Sequence, residues 1–479
     1  MAETRPNLIG GQWRASDQAP ANINPSDIED IIGHYATATT DDVEAAIAAA
    51  SAVTEEWARS GIQARHDILR TASDEIMARR EEIGRLLSRE EGKTLSEGIG
   101  ETVRAAQIFN FFAGETLRLA GEKLASVRPG VDVEISREPV GVVGIITPWN
   151  FPIAIPAWKI APAVCYGNPV IFKPAELVPG CAWVLVDILH RAGMPAGTLN
   201  LVNGPGSVVG QAMLDDPRVK AITFTGSQAT GGLVAQASVR HMRKFQLEMG
   251  GKNPLVVLDD ADLDVAVDCA VQGAFFSTGQ RCTASSRLVV GEGIHGRFVE
   301  ACVSRIRELQ VGDALDSRTQ IGPVVNETQL QQDLDYVEIA RREGASLRVG
   351  GERLKRQKAG FYMQPALFTD TRNDMRINTE EVFGPVASVI RVRDYEEALH
   401  VANDTAFGLS SGICTKSLKY ATHFKRNAQA GMVMVNLPTA GVDYHVPFGG
   451  AKGSSYGPRE QGRYAAEFYT TVKTAYTSA

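Results

Sequence analysis

The chain has 479 residues, 44% of them hydrophobic and 22% charged. That is the balance of an ordinary folded protein and excludes disordered, collagen-like and disulfide-scaffold readings. The 49 basic and 56 acidic side chains leave a formal charge of -7, which argues against a broad nucleic-acid-binding face and gives no reason to expect a nucleic-acid partner. At roughly 150 residues per domain the length suggests about three domains or subdomains, enough to bury a large core without metals or disulfides.

The opening Met-Ala-Glu-Thr-Arg-Pro has no apolar leader segment, and no run reaches the ~18 apolar residues of a membrane span. No membrane is expected as a partner, and a cytoplasmic location is. Residues 41–60 place Val43, Ile47, Ala50 and Val53 on one face, which predicts a helix opened by Thr40, Asp41 and Asp42. Further helices are expected over 64–90 and 98–120, broken by EEGKTLSEG at 90–98. The stretch 131–139 alternates polar positions and reads as an exposed or edge strand.

From residue 140 short β-rich runs alternate with helical stretches: 141–148, 168–174, 198–204, 219–226, 244–250 and 253–259. Strand, turn and helix recurring about every 25–30 residues is the signature of a parallel sheet covered on both faces. A second alternation runs from 262 to about 440, with helices at 262–278 and 296–309 and β-runs at 386–392, 411–416 and 432–437. A last strand is expected at 469–476. The fold class is α/β.

The six cysteines are Cys165, Cys181, Cys269, Cys282, Cys302 and Cys414, with no CxxC pair and no HExxH. No metal site is expected, and the thiols read as free in a reducing compartment. Cys282, in FFSTGQRCTASS, sits on a polar turn between regular elements. It is placed either to react or, like most cysteines, to fill space inertly. Glu248, beside Gly250-Gly251, suits a general base facing a cleft, or a carboxylate that caps the turn or pairs with Lys252. Asn150, between Trp149 and Phe151 and flanked by Pro148 and Pro152, is a candidate oxyanion donor or the satisfied side chain of a buried turn.

Two Gly-rich turns, NGPGSVVG (203–210) and FTGSQATGG (224–232), each follow a β-run and open a helix. Such turns bring backbone N–H groups close to phosphate oxygens. With Lys173 and Glu176 at a neighbouring strand end, they point to a dinucleotide site. An acid there accepts from ribose hydroxyls and repels a 2′-phosphate, which favours NAD while leaving NADP open. In EEVFGP, Glu381 and Phe383 suit either a nicotinamide or a surface Glu and a core Phe.

TPWNFP, KPAE, FTGS, LEMGGKNP, GQRC and EEVFGP occur in this order and together closely resemble the aldehyde dehydrogenase superfamily over nearly the whole chain. The resemblance implies Cys282 as nucleophile, Glu248 as general base, and Asn150 with the Cys282 N–H as oxyanion hole. It implies cofactor contacts by Thr147, Trp149, Lys173, Glu176, Gly206, Gly210, Phe224, Ser227, Glu381 and Phe383. A Rossmann-like NAD(P)-binding domain (1–121 and 140–250), an α/β catalytic domain (251–450) and a β oligomerisation flap (122–139 and 466–479) are implied, with a homodimer or homotetramer. The general base implies hydrolysis of a cysteine thioester rather than transfer to coenzyme A. The non-catalytic alternative, a binding or structural protein on the same fold, is disfavoured by the intact Cys282, Glu248 and Asn150.

The segment 436–476 is similar to that of bacterial α-ketoglutaric semialdehyde (2,5-dioxovalerate) dehydrogenases, which make 2-oxoglutarate in sugar-acid catabolism. Succinic and glutaric semialdehydes are the alternative substrates. An acidic aldehyde needs a cation in its pocket. Arg281 is the expected carboxylate clamp, unless its role is to lower the Cys282 pKa. Phe151, Ile155 and Trp158 are expected to wall the tunnel, with Pro438 and the GVDYHV loop at its mouth.

Overall fold

The structure, a computed structural model, describes residues 4–478. Met1, Ala2 and Glu3 of the opening segment, and Ala479 of the flap, lie outside the described residues. The β-rich runs after residue 140 form strands where the sequence expects them, because strands covered on both faces need nearly continuous apolar runs. Strands Lys244–Glu248, Ala221–Thr225, Val143–Ile146, Val170–Lys173 and Leu199–Leu201 lie side by side and parallel. Antiparallel strands extend this sheet at both edges: Ser455–Tyr456 at one, Asn7–Ile9 and Gln12–Arg14 at the other. The sequence reading did not anticipate strands before residue 40.

A second, seven-stranded sheet runs Ser346–Val349, Ala366–Thr369, Val386–Val392, Arg287–Gly291, Pro254–Val257, Ser410–Cys414 and Met432–Val435. All its pairings are parallel except that of the first strand. The chain passes from the first sheet to the second through Met249–Asn253. Separate apolar cores pack against each sheet.

Helix Thr40–Ala58 opens on a capping box between Thr39 and Asp42, which satisfies two bare N–H groups at once. The expected helix 64–90 is two helices, Ile62–Ala78 and Arg80–Glu91. Arg79 takes a non-helical conformation at their junction, its guanidinium held by Glu75 and Glu82. Gly92, at φ 95°, ends the second helix, and Leu95–Thr116 follows from a second capping box at Thr94 and Glu97.

Residues 131–139 depart from expectation. Val131–Pro139 is the middle strand of a three-stranded sheet, between Thr470–Ser478 and Glu122–Ala125. Its alternating polarity reports one open face, not an open edge. Among the described helices none is long and apolar enough to cross a membrane.

Candidate active site

The site is built on the carboxyl ends of the first sheet's parallel strands. In register, Glu248 pairs with Thr225, Phe224 with Ile146, and Ile146 with Lys173. LEMGGKNP, FTGS, TPWNFP and KPAE therefore meet at one sheet edge, the place where open α/β sheets bind ligands.

A cavity of about 320 Å³ opens there, lined in part by Trp149, Asn150, Thr225, Ser227, Cys282, Glu381 and Phe383. Ser227 caps helix Gln228–Arg240 by accepting from the Thr230 N–H, so the positive end of that helix adjoins the cavity. Trp149 and Phe383 meet edge to face at 5.4 Å. Phe383 is held at φ 63°, an uncommon conformation for a bulky residue. Glu381 Oε1 accepts from the Gly251 N–H at 2.9 Å, and burial pushes its carboxyl up to about 7. The Thr147 and Thr225 hydroxyls are buried without partners. An anion-binding helix end, a flat aromatic wall, a carboxylate and two orphaned hydroxyls fit a dinucleotide.

Lys173 is buried and donates to the Pro174 carbonyl at 3.0 Å. A Cβ on Gly210 would meet its Cδ at 3.8 Å, while nothing lies within 4 Å of one on Gly206. Glu176 is exposed just beyond. Phe224 is a correction. It is 3% exposed, in the core, and a Cβ on Gly226 would strike its ring at 2.6 Å. It supports the turn from beneath and does not line the cavity.

A second cavity, of about 270 Å³, lies on the other side of Cys282, and among the described residues only Cys282 and Ile155 line both. Phe151, Ile155 and Trp158 line it together with Gly441 and Val442. Pro438 is not on its wall and instead lies against Gly273, where a Cβ would meet its own at 3.7 Å.

The backbone before the thiol is strained. Ser277, Thr278 and Gly279 have φ of 50°, 57° and 65°, and each non-glycine residue there costs about 1–2 kcal/mol. Glu97 holds the turn, accepting from the Ser277 N–H at 2.8 Å and its hydroxyl at 2.9 Å. Thr278 donates to the Gly322 carbonyl, and Gln280 accepts from the Val325 N–H.

Asn253 then fixes the Cys282 carbonyl, donating to Cys282 O at 2.7 Å and to Ala284 O at 3.0 Å. Gly251 is needed for close approach, since a Cβ would sit 2.6 Å from Cys282 O. Asn150 is 3% exposed and donates to Gln280 O at 3.0 Å, beside the thiol. Behind it the buried Lys93 ammonium contacts Asn150 O, pairs with Glu101 at 2.9 Å and lies 3.6 Å from the Phe151 ring centroid.

Cys282 is half-buried and the other five cysteines are buried; all six are free. Burial, then the Glu381 and Glu248 carboxylates, push the Cys282 thiol up to about 12. Both causes favour the protonated sulfur. For Arg281, burial lowers the pKa, and the Glu97 and then the Cys282 charge draw it back up. Its Nη2 donates to Gln272 O and Phe276 O, each at 2.7 Å. Arg281 does line the second cavity.

Glu248 is 2% exposed, and its Oε2 accepts from the Ser455 hydroxyl at 2.6 Å. Burial, then the Glu460 charge, raise its pKa well above the carboxylate range; Ser455, Lys159 and Arg459 oppose them. Glu460 itself pairs with buried Lys159.

Lys93, Asn253 and Arg104 had no place in the sequence reading. The one available signal was the spacing of Glu97, Glu101 and Arg104, which puts three charged groups on one face of a helix.

The aldehyde dehydrogenase family model matches residues 13–475. The α-ketoglutaric semialdehyde dehydrogenase of Bacillus subtilis (strain 168) is 44% identical, over 98% of this chain and 97% of that protein. The α-ketoglutarate semialdehyde dehydrogenase of Haloferax volcanii is 41% identical over the whole of both. Betaine aldehyde dehydrogenase from Staphylococcus aureus, solved in complex with NAD+, superposes with a TM-score of 0.96 at 34% identity, covering 99% of this chain and 95% of that one. With the family model spanning nearly the whole chain and relatives and fold in agreement, the chain belongs to the aldehyde dehydrogenase family.

Proposed function

We propose that this chain oxidises α-ketoglutaric semialdehyde to 2-oxoglutarate, with NAD accepting the hydride and water completing the reaction. The observation that carries the reading is the position of Cys282 at the junction of a cavity suited to a dinucleotide and a second cavity that bears cations. The exposed Glu176 at the strand end supports NAD over NADP. Similarity to semialdehyde dehydrogenases over the full chain supports the substrate.

Cys282 passes its proton to solvent once, and each turn then starts with its thiolate Sγ attacking the aldehyde carbon. Asn150 Nδ2 and the Cys282 N–H then donate to the alkoxide oxygen, stabilising charge where it develops. The nicotinamide supplies an acceptor for the hydride that leaves the substrate carbon, and a thioester remains on sulfur. Glu248 turns from Ser455 toward the thioester and takes a proton from water, whose oxygen attacks the acyl carbon. Release of the carboxylate returns the thiolate. The sum is aldehyde, NAD+ and water to carboxylate, NADH and two protons.

Lys173, Glu176, Gly206, Gly210, Thr147 and Ser227 serve the adenosine and pyrophosphate, and Trp149, Glu381 and Phe383 the nicotinamide end. We also assign 1–121 with 140–250 to cofactor binding and 251–450 to catalysis. Leu124, Val127, Val472 and Tyr476 leave apolar surface exposed on and beside the three-stranded sheet, which supports self-association there as a dimer or tetramer. Six free thiols support a reducing, cytoplasmic setting.

The test is NADH absorbance with purified protein and α-ketoglutaric, succinic and glutaric semialdehydes beside neutral aldehydes. The first should give the highest kcat/KM, and Cys282→Ala should abolish the signal. No turnover of any aldehyde would leave the non-catalytic alternative in its place.

A further inference from the structure

The second cavity carries three cations, Lys93, Arg104 and Arg281, against two carboxylates, Glu97 and Glu101. Both carboxylates are engaged: Glu97 by the Thr94 and Ser277 groups, Glu101 by Lys93 and by the N–H groups of Ile153 and Ala154. A surplus positive charge in a half-enclosed space selects an anionic guest. The question is which cation is free to meet it.

Lys93 is spent on Glu101, the Asn150 carbonyl and the Phe151 ring. Arg281 is drawn to two backbone carbonyls at 2.7 Å each. Arg104 differs. A guanidinium has five N–H donors, yet Arg104 makes one hydrogen bond, a long one of 3.3 Å from Nη2 to Gln461 Oε1. Its Nε is buried without a partner, as is that of Arg281, but Arg104 has no short bond at its Nη atoms, and among the described residues no carboxylate lies within ion-pair distance of it. The Trp158 ring, 5.8 Å from the guanidinium carbon, stands beside it as an apolar wall.

We propose that Arg104 is the substrate-anchoring residue that holds the distal carboxylate of the aldehyde by a two-pronged guanidinium–carboxylate contact while the carbonyl lies at Cys282. This rests on the reading that the site oxidises an acidic semialdehyde. Arg281 then shapes the turn before the thiol and adds charge without gripping the substrate. Burial lowers the Arg104 pKa, and Glu101, Asp443 and Cys282 draw it back up, so an arriving carboxylate supplies a charge partner the site lacks.

The test compares wild type, Arg104→Met, Arg104→Lys and Arg281→Met for kcat/KM with α-ketoglutaric semialdehyde and with pentanal, and for competitive inhibition of pentanal oxidation by glutarate. Losing a two-pronged charged contact should cost Arg104→Met about a hundredfold in kcat/KM for the acid, mostly in KM. Pentanal oxidation should stay within about threefold of wild type, which also reports that the variant is folded. Glutarate inhibition should vanish in Arg104→Met and return in part in Arg104→Lys, which restores a point charge but not the fork.

Equal losses on acid and neutral aldehydes would overturn the proposal, as would charge-selective loss in Arg281→Met with none in Arg104→Met. A wild type without preference for the acid over pentanal would instead overturn the acidic-substrate reading, and this proposal with it.

Discussion

Gly251→Ala tests how tightly the nucleophile is held. The added methyl would sit 2.6 Å from Cys282 O, and 2.8 and 3.0 Å from the two amide atoms of Asn253. Ordinary contact begins near 3.4 Å, so something must yield by about 0.8 Å. Asn253 blocks the carbonyl's simplest escape, because its Nδ2 already holds Cys282 O at 2.7 Å. Retreat of the glycine backbone is blocked on the other side, where the Gly251 N–H is bonded to Glu381.

The strain therefore reaches either the Cys282 backbone or the Glu381 carboxylate. Overpacking of this kind costs about 1–3 kcal/mol, leaving a folded protein. A shift approaching 1 Å at the reacting atom costs about a hundredfold in rate. The assay is single-turnover NADH formation, with denaturant unfolding as the control. A rate within twofold of wild type would show that the loop relaxes without moving the thiol, and would refute the account of Gly251.

Three further outcomes follow from the buried carboxylates. Glu248→Gln should keep the first burst of NADH and slow steady turnover by about 10²–10⁴-fold; loss of the burst itself would contradict a role confined to hydrolysing the thioester. Because burial and Glu460 raise the Glu248 pKa, its carboxylate form is gained at higher pH than for an ordinary carboxyl, so kcat should climb as pH rises, read from its pH profile. Glu460→Gln removes a negative neighbour and leaves Lys159 to favour the carboxylate, which should move the acid limb of the kcat profile to lower pH. This substitution breaks a buried pair at a cost of about 3–5 kcal/mol, so the profile is read on protein shown to be folded. An acid limb that stays in place would remove Glu460 as a cause.

The alternation of strand and helix, the six motifs and the exceptional position of Cys282 were legible in the sequence. Strands covered on both faces must be apolar throughout, and a reactive turn must be polar and rich in small residues, and both demands are local. What the sequence left hidden depends on partners distant in the chain. Val131–Pro139 is a central strand because Thr470–Ser478 returns from the far end of the chain to pair with it, and nothing in its own alternation encodes that. Phe224 reads like its neighbours in a cofactor motif, but the pleat sends its ring into the core. Arg104 reads as one more surface cation on a helix, and only folding removes its partners and sets it beside Trp158. By itself the sequence determined the strand–helix alternation after residue 140 and singled out Cys282 among six thiols, because those follow from short-range pattern. The tertiary structure decided which charges stay unpaired in the cavity, because pairing depends on distances the chain sets only once folded.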